Sequence, residues 1–223
     1  MRVERISEHV WALSTWVVVP IRVWVVATED GVTLVDAGLS TMARGILEFI
    51  ARLGAGPLRR ILLTHGHSDH TGAIDGVRRK HSVPVFAHAA EIPYMTGQLP
   101  YPRRRAAAAT VASGVVQPLA EEVPGVLARV GGLRPYLTPG HSPGHVVYYH
   151  ERDRVLLAGD LFTSRRGRLG RPMAIFTADM AEAVRSAAIV KRLRPDRLEV
   201  SHGGPVFHPA VQMDAYLAAA DQT

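Results

Sequence analysis

The sequence predicts an α/β protein in which two β-sheets pack face to face and helices cover their outer surfaces. Short runs rich in β-branched residues alternate with amphipathic helical segments in both halves of the chain. Apolar residues make up 47% of the 223 residues, which is enough for a sizeable interior. Each half gives strands followed by helices, an order that a two-sheet sandwich accommodates. No repeat divides the chain, so we expect one domain over residues 1–223.

Strands are predicted first, because the N-terminal part is rich in Val, Ile and Trp. They cover 10–13, 21–28 and 32–35, and the turn Glu29-Asp30-Gly31 predicts a hairpin between the last two. A helix capped by Ser40 or Thr41 follows, and its apolar face ends at Gly54. The next elements are predicted as a strand at 61–63, a helix at 71–80 and a strand at 83–87.

Residues 93–114 differ in composition, with several prolines, the triplet Arg103-Arg104-Arg105 and a run of alanines. We interpret this segment as an excursion from the core that could contain a short helix. In the second half we predict strands at 133–137, 146–149 and 155–157, a helix capped by Thr177, a last strand at 198–200 and a last helix at 210–220.

Composition limits the chemistry and the partners. The chain has no cysteine, so a metal ion must be held by imidazole and carboxylate groups. Its net charge of +6 comes from scattered arginines, which favours solvated faces over a nucleic-acid surface. No signal-peptide segment is recognised, and the apolar stretch 16–27 is too short for a bilayer and contains Pro20 and Arg22. A cytoplasmic protein without a membrane partner is therefore expected.

The clearest motif is the run Thr64-His65-Gly66-His67-Ser68-Asp69-His70-Thr71-Gly72, directly after an apolar strand. A strand directs alternate side chains the same way, so His65 and His67 can share one metal ion. Asp69 and His70 lie just beyond and can reach a second ion. Imidazole and carboxylate donors both suit divalent metals.

Three later loops offer more donors. They are Thr138-Pro139-Gly140-His141-Ser142-Pro143-Gly144-His145, then Ala158-Gly159-Asp160, then Ser201-His202-Gly203-Gly204. Each follows a predicted strand, where functional side chains concentrate. We therefore expect His141, Asp160 and His202 to join the 65–70 run at one site.

In combination these motifs resemble the five metal motifs of the metallo-β-lactamase superfamily, and the resemblance extends from Asp36 to His202. It implies a four-layer αβ/βα sandwich. It also implies that Asp36 orients a ligand or its loop. His145 belongs to the tail of its motif, and we expect it to have a structural or supporting role and not to bind a metal directly. The implied ligands are His65, His67 and His141 for a first ion, Asp69, His70 and His202 for a second, and Asp160 as a bridge.

The resemblance implies a binuclear hydrolase in which two divalent ions, Zn²⁺ by default with iron or manganese as alternatives, ionise a bridging water. The resulting hydroxide would attack a small acyl compound, while Asp69 or Asp160 holds and transfers the proton. Gly159-Asp160-Leu161-Phe162 is similar to the hydroxyacylglutathione hydrolase branch, but the chain ends too soon after His202 for that branch's glutathione-binding helices. Thr163 replaces the tyrosine of the acyl-homoserine lactonase branch. The sequence leaves open whether the substrate is a thioester, a lactone or a related ester.

Two alternatives come from other classes of protein. One is a nucleic-acid phosphodiesterase, suggested by the basic charge. The other is an oxygen-using enzyme similar to the persulfide dioxygenases, with one iron. Around the pocket we expect a flap at 15–20 and contributions from the 93–114 excursion, and the cluster Arg165–Arg171 could approach an anionic substrate. The apolar N-terminal strands could serve a homodimer.

Overall fold

The computed structural model describes residues 1–218, and its larger sheet has seven strands in chain order. These strands are β1 (Arg2–Arg5), β2 (Val10–Trp16), β3 (Pro20–Thr28), β4 (Gly31–Val35), β5 (Leu58–Leu62), β6 (Val85–Ala87) and β7 (Val116–Pro118). Pairing is antiparallel from β1 to β4 and parallel from β4 to β7. The parallel strands therefore end at one common edge.

The later strands are β8 (Glu121–Val123), β9 (Val126–Leu127), β10 (Arg134–Leu137), β11 (Val146–His150), β12 (Val155–Leu157), β13 (Thr163–Arg165), β14 (Arg168–Gly170), β15 (Arg197–Glu199) and β16 (Val206–Phe207). A second sheet has the order β10-β11-β12-β15-β16, and β12 and β15 are parallel. The pairs β8-β9 and β13-β14 are separate ribbons.

Seven α-helices lie in the described part of the chain: α1 (Ala43–Leu53), α2 (Ser68–Thr71), α3 (Ile74–Arg78), α4 (Ile92–Met95), α5 (Met180–Ala187), α6 (Ile189–Leu193) and α7 (Met213–Ala218). Short 3₁₀ helices cover Ser40–Met42 and Pro209–Gln212. Among residues 1–218, none of the helices has the length and apolar character that crossing a membrane requires.

Three separate apolar cores show how the layers stack. In β3, Val23 and Val25 face a core shared with α1 and α3, while Trp24 and Val26 face a core shared with the second sheet. This division follows from the alternation of side chains along a strand. The third core lies between the second sheet and α5, α6 and α7. The order is helix, sheet, sheet, helix, so the predicted αβ/βα sandwich is confirmed.

Most of the predicted elements are confirmed within a few residues. The hairpin is present, because β3 and β4 pair as Thr28 with Gly31. Helix α1 ends at Leu53, and Gly54 caps it with a left-handed backbone at φ 64°. The predicted 71–80 helix is instead two short helices, separated near Gly72. A Cβ there would lie 2.8 Å from the amide nitrogen of Ser40, so the close backbone contact needs glycine.

Other local predictions were wrong. Neither Ser40 nor Thr41 caps a helix through its side chain. Asp179 caps α5, since its carboxylate accepts a hydrogen bond from the amide of Glu182 at 2.9 Å. Thr177, the predicted cap, uses its hydroxyl elsewhere. The last described strand is β16 and not the strand at 198–200. The predicted 210–220 helix starts as a 3₁₀ turn, and its final two residues lie outside the described residues.

Candidate metal centre

The predicted donors meet where the parallel strands of both sheets end. Asp36 follows β4, and the 65–70 run follows β5. Asp160 follows β12 and His202 follows β15, the two parallel strands of the second sheet. His141 lies in the connection between β10 and β11. The strand ends at this edge of the sandwich therefore collect side chains from five separate stretches of chain.

The first group of donors consists of three imidazoles. His65 Nε2 lies 2.9 Å from His67 Nδ1, and His141 Nε2 lies 3.1 Å from the same His67 nitrogen. One ligand atom from each residue falls within 4.8 Å of the others. His65 and His141 are buried. This compact group of nitrogens has the size and donor type of a transition-metal site.

The second group joins Asp69, His70 and His202, whose ligand atoms also lie within 4.8 Å of one another. Asp69 Oδ2 is 3.2 Å from His202 Nε2 and 3.6 Å from His70 Nε2. Two imidazoles and one carboxylate again match the ligands of a divalent metal.

Asp160 lies between the two groups. Its Oδ2 is 3.5 Å from His141 Nε2 of the first group and 3.2 Å from His202 Nε2 of the second. Its Oδ1 is 3.4 Å from His70 Nε2. The structure thus brings all seven predicted ligands together, with this carboxylate in contact with both groups.

Neighbouring side chains orient the imidazole rings. Asp36 Oδ2 lies 2.8 Å from His70 Nδ1, so an Nδ1–H donated to Asp36 leaves His70 Nε2 as the lone-pair donor. Asp36 also accepts hydrogen bonds from the Thr64 amide and hydroxyl, both at 2.8 Å. Its backbone adopts φ 58°, a left-handed conformation that aspartate tolerates better than most residues. Asp36 therefore orients a donor, as the resemblance implied.

Two other donors are oriented in the same way. His141 Nδ1 lies 3.2 Å from the hydroxyl of Thr177, and His202 Nδ1 lies 2.9 Å from the carbonyl of Pro20. Each contact leaves Nε2 directed to the metal groups. Pro20 begins β3 beside the predicted flap, so the hairpin contributes to the site through its backbone.

His145 supports the Asp160 loop and lies outside the donor groups. Its Nε2 accepts a hydrogen bond from the amide of Asp160 at 3.1 Å, and its Nδ1 bonds to Thr138 at 2.9 Å. Gly159 makes this packing possible: a Cβ there would lie 2.8 Å from His145 Nε2, and its φ is 53°. The supporting role expected of His145 agrees with these contacts.

Burial keeps the first group of imidazoles neutral. It lowers the pKa of His65 well below its ordinary value, and the nearby His70 lowers it further. Burial and the proximity of His141 lower the pKa of His67 to about 3. The pKa of His141 is also lowered, mainly by burial. Neutral imidazoles are the form that binds metals, so these residues need not release protons at neutral pH.

The second group behaves differently because carboxylates surround it. Burial lowers the pKa of His70, but Asp36 and Asp160 outweigh it and hold that pKa well above its ordinary value. Burial also opposes protonation of His202, yet hydrogen bonds to Asp160 and Asp69 raise its pKa to about 10. Burial raises the pKa of Asp69, whereas His70 and His202 lower it to about 2. The carboxylates of Asp36, Asp69 and Asp160 therefore favour a positive charge beside His70 and His202.

Two buried atoms show that a metal ion fits the site. His70 Nε2 and Asp160 Oδ1 are inaccessible to solvent, and neither has a hydrogen-bond partner within residues 1–218. An unsatisfied buried polar atom is costly, and a divalent cation satisfies a nitrogen lone pair and a carboxylate oxygen together. The chemistry of the donor set therefore agrees with metal binding.

A cavity of about 570 Å³ opens above these groups. Its polar floor includes His67, Asp69, Asp160 and His202. Its apolar walls come from three segments and consist of Val18, Val19, Ala106, Ala108, Met173 and Phe176. Such a cavity suits a small ligand with an apolar body.

The structure separates the predicted pocket residues into different roles. Val18 and Val19 of the predicted flap line the cavity, whereas Trp16 is 71% exposed. Tyr101 of the 93–114 excursion also lines it, while Met95 is fully buried in a core. The cluster Arg165–Arg171 lies on and beside the β13-β14 ribbon and lines other surface depressions. Its expected approach to the substrate is therefore not supported by the fold.

Sequence reasoning missed Glu91, a fully buried carboxylate. It accepts hydrogen bonds from the amides of Gly66 and Gly144, at 3.0 and 2.7 Å, and from the hydroxyls of Tyr101 and Ser142, at 2.7 and 2.8 Å. Glu91 thus connects the two loops that carry the first group of donors. The only local signal is an acidic residue between small and apolar neighbours, which is weak.

Fold and site together define a metal-dependent hydrolase. A family model described as "Metallo-beta-lactamase superfamily" matches residues 16–202, and the chain belongs to that superfamily. It is 39% identical over 212 residues to "Probable metallo-hydrolase YybB" of Bacillus subtilis (strain 168), covering 93% of this chain and 94% of that protein. It is 35% identical to "Probable metallo-hydrolase YflN" of the same organism, covering 78% of this chain and 75% of that protein.

Further similarities extend to a named enzyme and to solved structures. The chain is 31% identical to "Hydroxyacylglutathione hydrolase" of Methylobacillus flagellatus, over 70% of this chain and 54% of that enzyme. It superposes on a crystal structure of TTHA1623 in a di-iron-bound form with a TM-score of 0.67 and 26% identity. The superposition covers 89% of this chain and 95% of that chain. A metallo beta lactamase from Erythrobacter litoralis shares the fold, with a TM-score of 0.71 and 18% identity. The superposition covers 99% of this chain and 96% of that chain.

Proposed function

We propose that this chain is a binuclear metal-dependent hydrolase that cleaves an ester-type bond, a thioester or a lactone, in a small acyl compound. The observation that carries the proposal is the position of Asp160. Its two carboxylate oxygens lie within 3.5 Å of imidazole nitrogens from both donor groups. A carboxylate placed in this way suits a bridge between two cations.

In this proposal His65, His67 and His141 hold one ion, and Asp69, His70 and His202 hold the other. The di-iron form of TTHA1623, a protein with 26% identity, supports a pair of ions in this fold. Imidazole and carboxylate suit zinc, our first choice, and also iron and manganese. When bound, such ions lower the pKa of water towards neutrality and polarise the substrate oxygen.

The chain's own carboxylates have distinct tasks. Burial would raise the pKa of Asp160, but His70 and His202 hold it well below its ordinary value, so Asp160 stays ionised. Asp69 is the more accessible of the two, with 29% of its side chain exposed, and it lines the cavity. We assign Asp69 as the group that accepts a proton at its carboxylate from the attacking water, and Asp160 as the group that orients the donors.

The walls of the cavity support an acyl substrate. Val18, Met173 and Phe176 offer apolar contacts to a hydrocarbon chain beside the polar floor. A volume of about 570 Å³ accommodates a small molecule. The similarity to a hydroxyacylglutathione hydrolase, which covers 54% of that enzyme, adds support for thioester chemistry.

The test is a screen of one metal-loaded preparation against thioesters, lactones, phosphodiesters and β-lactams. We expect turnover of a thioester or lactone, and loss of that turnover in Asp69→Asn. Phosphodiesters as the sole substrates would replace the proposal with a nuclease. One iron per chain together with oxygen consumption would replace it with a dioxygenase.

A matched control uses a carboxylate remote from the site. Asp214 pairs with Lys191 on the surface and is 86% exposed. Asp214→Asn should keep wild-type turnover, so that a loss in Asp69→Asn reports the site and not a general effect of removing a negative charge.

A further inference from the structure

The three consecutive arginines at 103–105 lie in different environments. Arg103 fastens the excursion to the turn before α5, since its Nη1 donates to the carbonyls of Ala174 and Thr177 at 3.1 and 2.9 Å. Arg105 is exposed and forms no hydrogen bond or ion pair with any described residue. Arg104 lines the cavity above the metal groups. Only the middle arginine is thus placed to meet a substrate.

An aromatic ring holds the guanidinium of Arg104. Its Cζ lies 5.6 Å from the centroid of Phe176, another residue of the cavity wall. In a cation–π contact the cation lies over the face of the aromatic ring, and the ring takes up none of the five N–H donors of the guanidinium in a conventional hydrogen bond. Among residues 1–218 no carboxylate forms an ion pair with Arg104. The described part of the chain therefore positions this cation and does not neutralise it.

Arg104 is also the one lysine or arginine among the described residues that line this cavity. The walls beside it, which include Ala106, Ala108 and Met173, carry no charge. A ligand whose reacting bond lies over the metal groups would therefore share the cavity with apolar walls and a single exposed cation.

From this arrangement we propose that the substrate carries a carboxylate at the end of its acyl chain, and that Arg104 is the residue that selects it. The proposal rests on the acyl hydrolase function proposed above. A planar guanidinium matches a carboxylate through two parallel hydrogen bonds. One guanidinium balances one negative charge, which favours a carboxylate over a polyanion such as a nucleic acid.

The test compares two ester probes with chains of equal length. The 4-nitrophenyl monoester of adipic acid ends in a carboxylate, and 4-nitrophenyl hexanoate ends in a methyl group. One water molecule cleaves either ester into 4-nitrophenol and a carboxylic acid. In the metal-loaded wild type we expect kcat/KM to favour the adipate ester by about 10-fold, the value of one charge-assisted hydrogen-bonded pair. In Arg104→Met this preference should disappear, mainly through KM.

Arg105→Met is the matched control, because it removes the same charge one residue away from the cavity wall. It should keep the wild-type preference. The proposal is overturned if the wild type hydrolyses the two esters with equal kcat/KM, or if hydrolysis and adipate binding are the same in Arg104→Met and Arg105→Met.

A binding measurement separates this proposal from the function on which it rests. Titration calorimetry of adipate into the metal-loaded protein should show binding about 10-fold weaker in Arg104→Met than in Arg105→Met. If neither ester is hydrolysed but this difference remains, the ester hydrolase function fails and carboxylate recognition stands. If esters are hydrolysed and the difference is absent, carboxylate recognition fails alone.

Discussion

The hydroxyl of Tyr101 donates a hydrogen bond to the buried carboxylate of Glu91 at 2.7 Å. The ring of Tyr101 also packs edge-on against His67, with centroids 4.9 Å apart. The same carboxylate accepts from the amides of Gly66 and Gly144. Glu91 therefore connects the excursion with both loops that carry the first group of donors. Because charged acceptors form strong hydrogen bonds in a buried setting, this carboxylate stabilises the shape of the site.

Glu91→Gln should destabilise the protein. The amide nitrogen cannot accept the hydrogen bonds of Ser142 and Gly144, so two buried donors lose their acceptor at a cost of about 3 kcal/mol. Urea unfolding of the metal-free protein measures this loss. Glu48→Gln on the exposed side of α1 is the control and should change stability little. Equal stability of both variants and the wild type would show that Glu91 does not hold the loops.

Asp36→Asn should weaken metal binding while leaving the fold intact. Asparagine tolerates the left-handed backbone of Asp36, but its amide no longer accepts reliably from His70 Nδ1 and fails to fix the ring. Losing such a partner typically costs about 10–100-fold in metal affinity. Competition with a chromophoric chelator measures the affinity, and circular dichroism checks the fold. Unchanged affinity in a folded variant would contradict this role.

Asp153 should make stability depend on pH. It receives hydrogen bonds from Ser7 and from the amide of His9, and its side chain is 6% exposed. Burial raises its pKa, but these bonds lower it below the ordinary value of 3.8. Ionised Asp153 therefore stabilises the folded protein fully at pH values above 3.8. This stabilisation is lost as the pH falls through the pKa of Asp153 in the folded protein, which lies below 3.8.

Asp153→Asn should consequently cost about 1–2 kcal/mol at pH 7, and the difference from wild type should shrink below about pH 4. Urea unfolding of the metal-free proteins across this range measures it. Asp214→Asn, at an exposed position, should show no comparable loss. If the loss of stability in Asp153→Asn stayed constant down to pH 3, the stability of the fold would not depend on ionisation of Asp153, and this prediction would be contradicted.

Val18 should contribute to substrate binding through the flap. It lines the cavity although it is 83% exposed, so a bound acyl chain would cover it. Val18→Asp should raise KM for an apolar acyl substrate about fivefold, with little change in kcat, because apolar contact area is lost. Val17→Asp is the control: Val17 is 60% exposed but does not line the cavity. Equal KM values for the two variants would show that Val18 of the flap does not contact the substrate.

The metal groups could be predicted because their chemistry is concentrated in short motifs. Four donors lie within the six residues from His65 to His70, and a strand followed by a turn fixes their relation locally. The later donors each follow a strand, so the edge of the sandwich brings them to the same place. The apolar alternation of β3 likewise predicts which side chains face each core.

The supporting contacts could not be predicted, because they depend on distant parts of the chain. Glu91 bonds to partners 25, 51 and 53 positions away. Thr177 fits the local pattern of a helix cap, yet its hydroxyl contacts His141 and the carbonyl of Met173. Both arginine clusters have similar composition, and only the fold shows that Arg104 lines the cavity while Arg168 is part of the β13-β14 ribbon.

The most direct measurement is the metal content per chain, determined by plasma mass spectrometry on protein purified after loading and gel filtration. We expect about two divalent ions per chain in the wild type. Removing the carboxylate between the two donor groups in Asp160→Ala should deplete bound metal and abolish turnover, whereas the control His81→Ala, at an exposed histidine outside both groups, should keep the wild-type content. Folded wild-type protein that holds no ion, or Asp160→Ala protein with wild-type metal content and activity, would contradict the account.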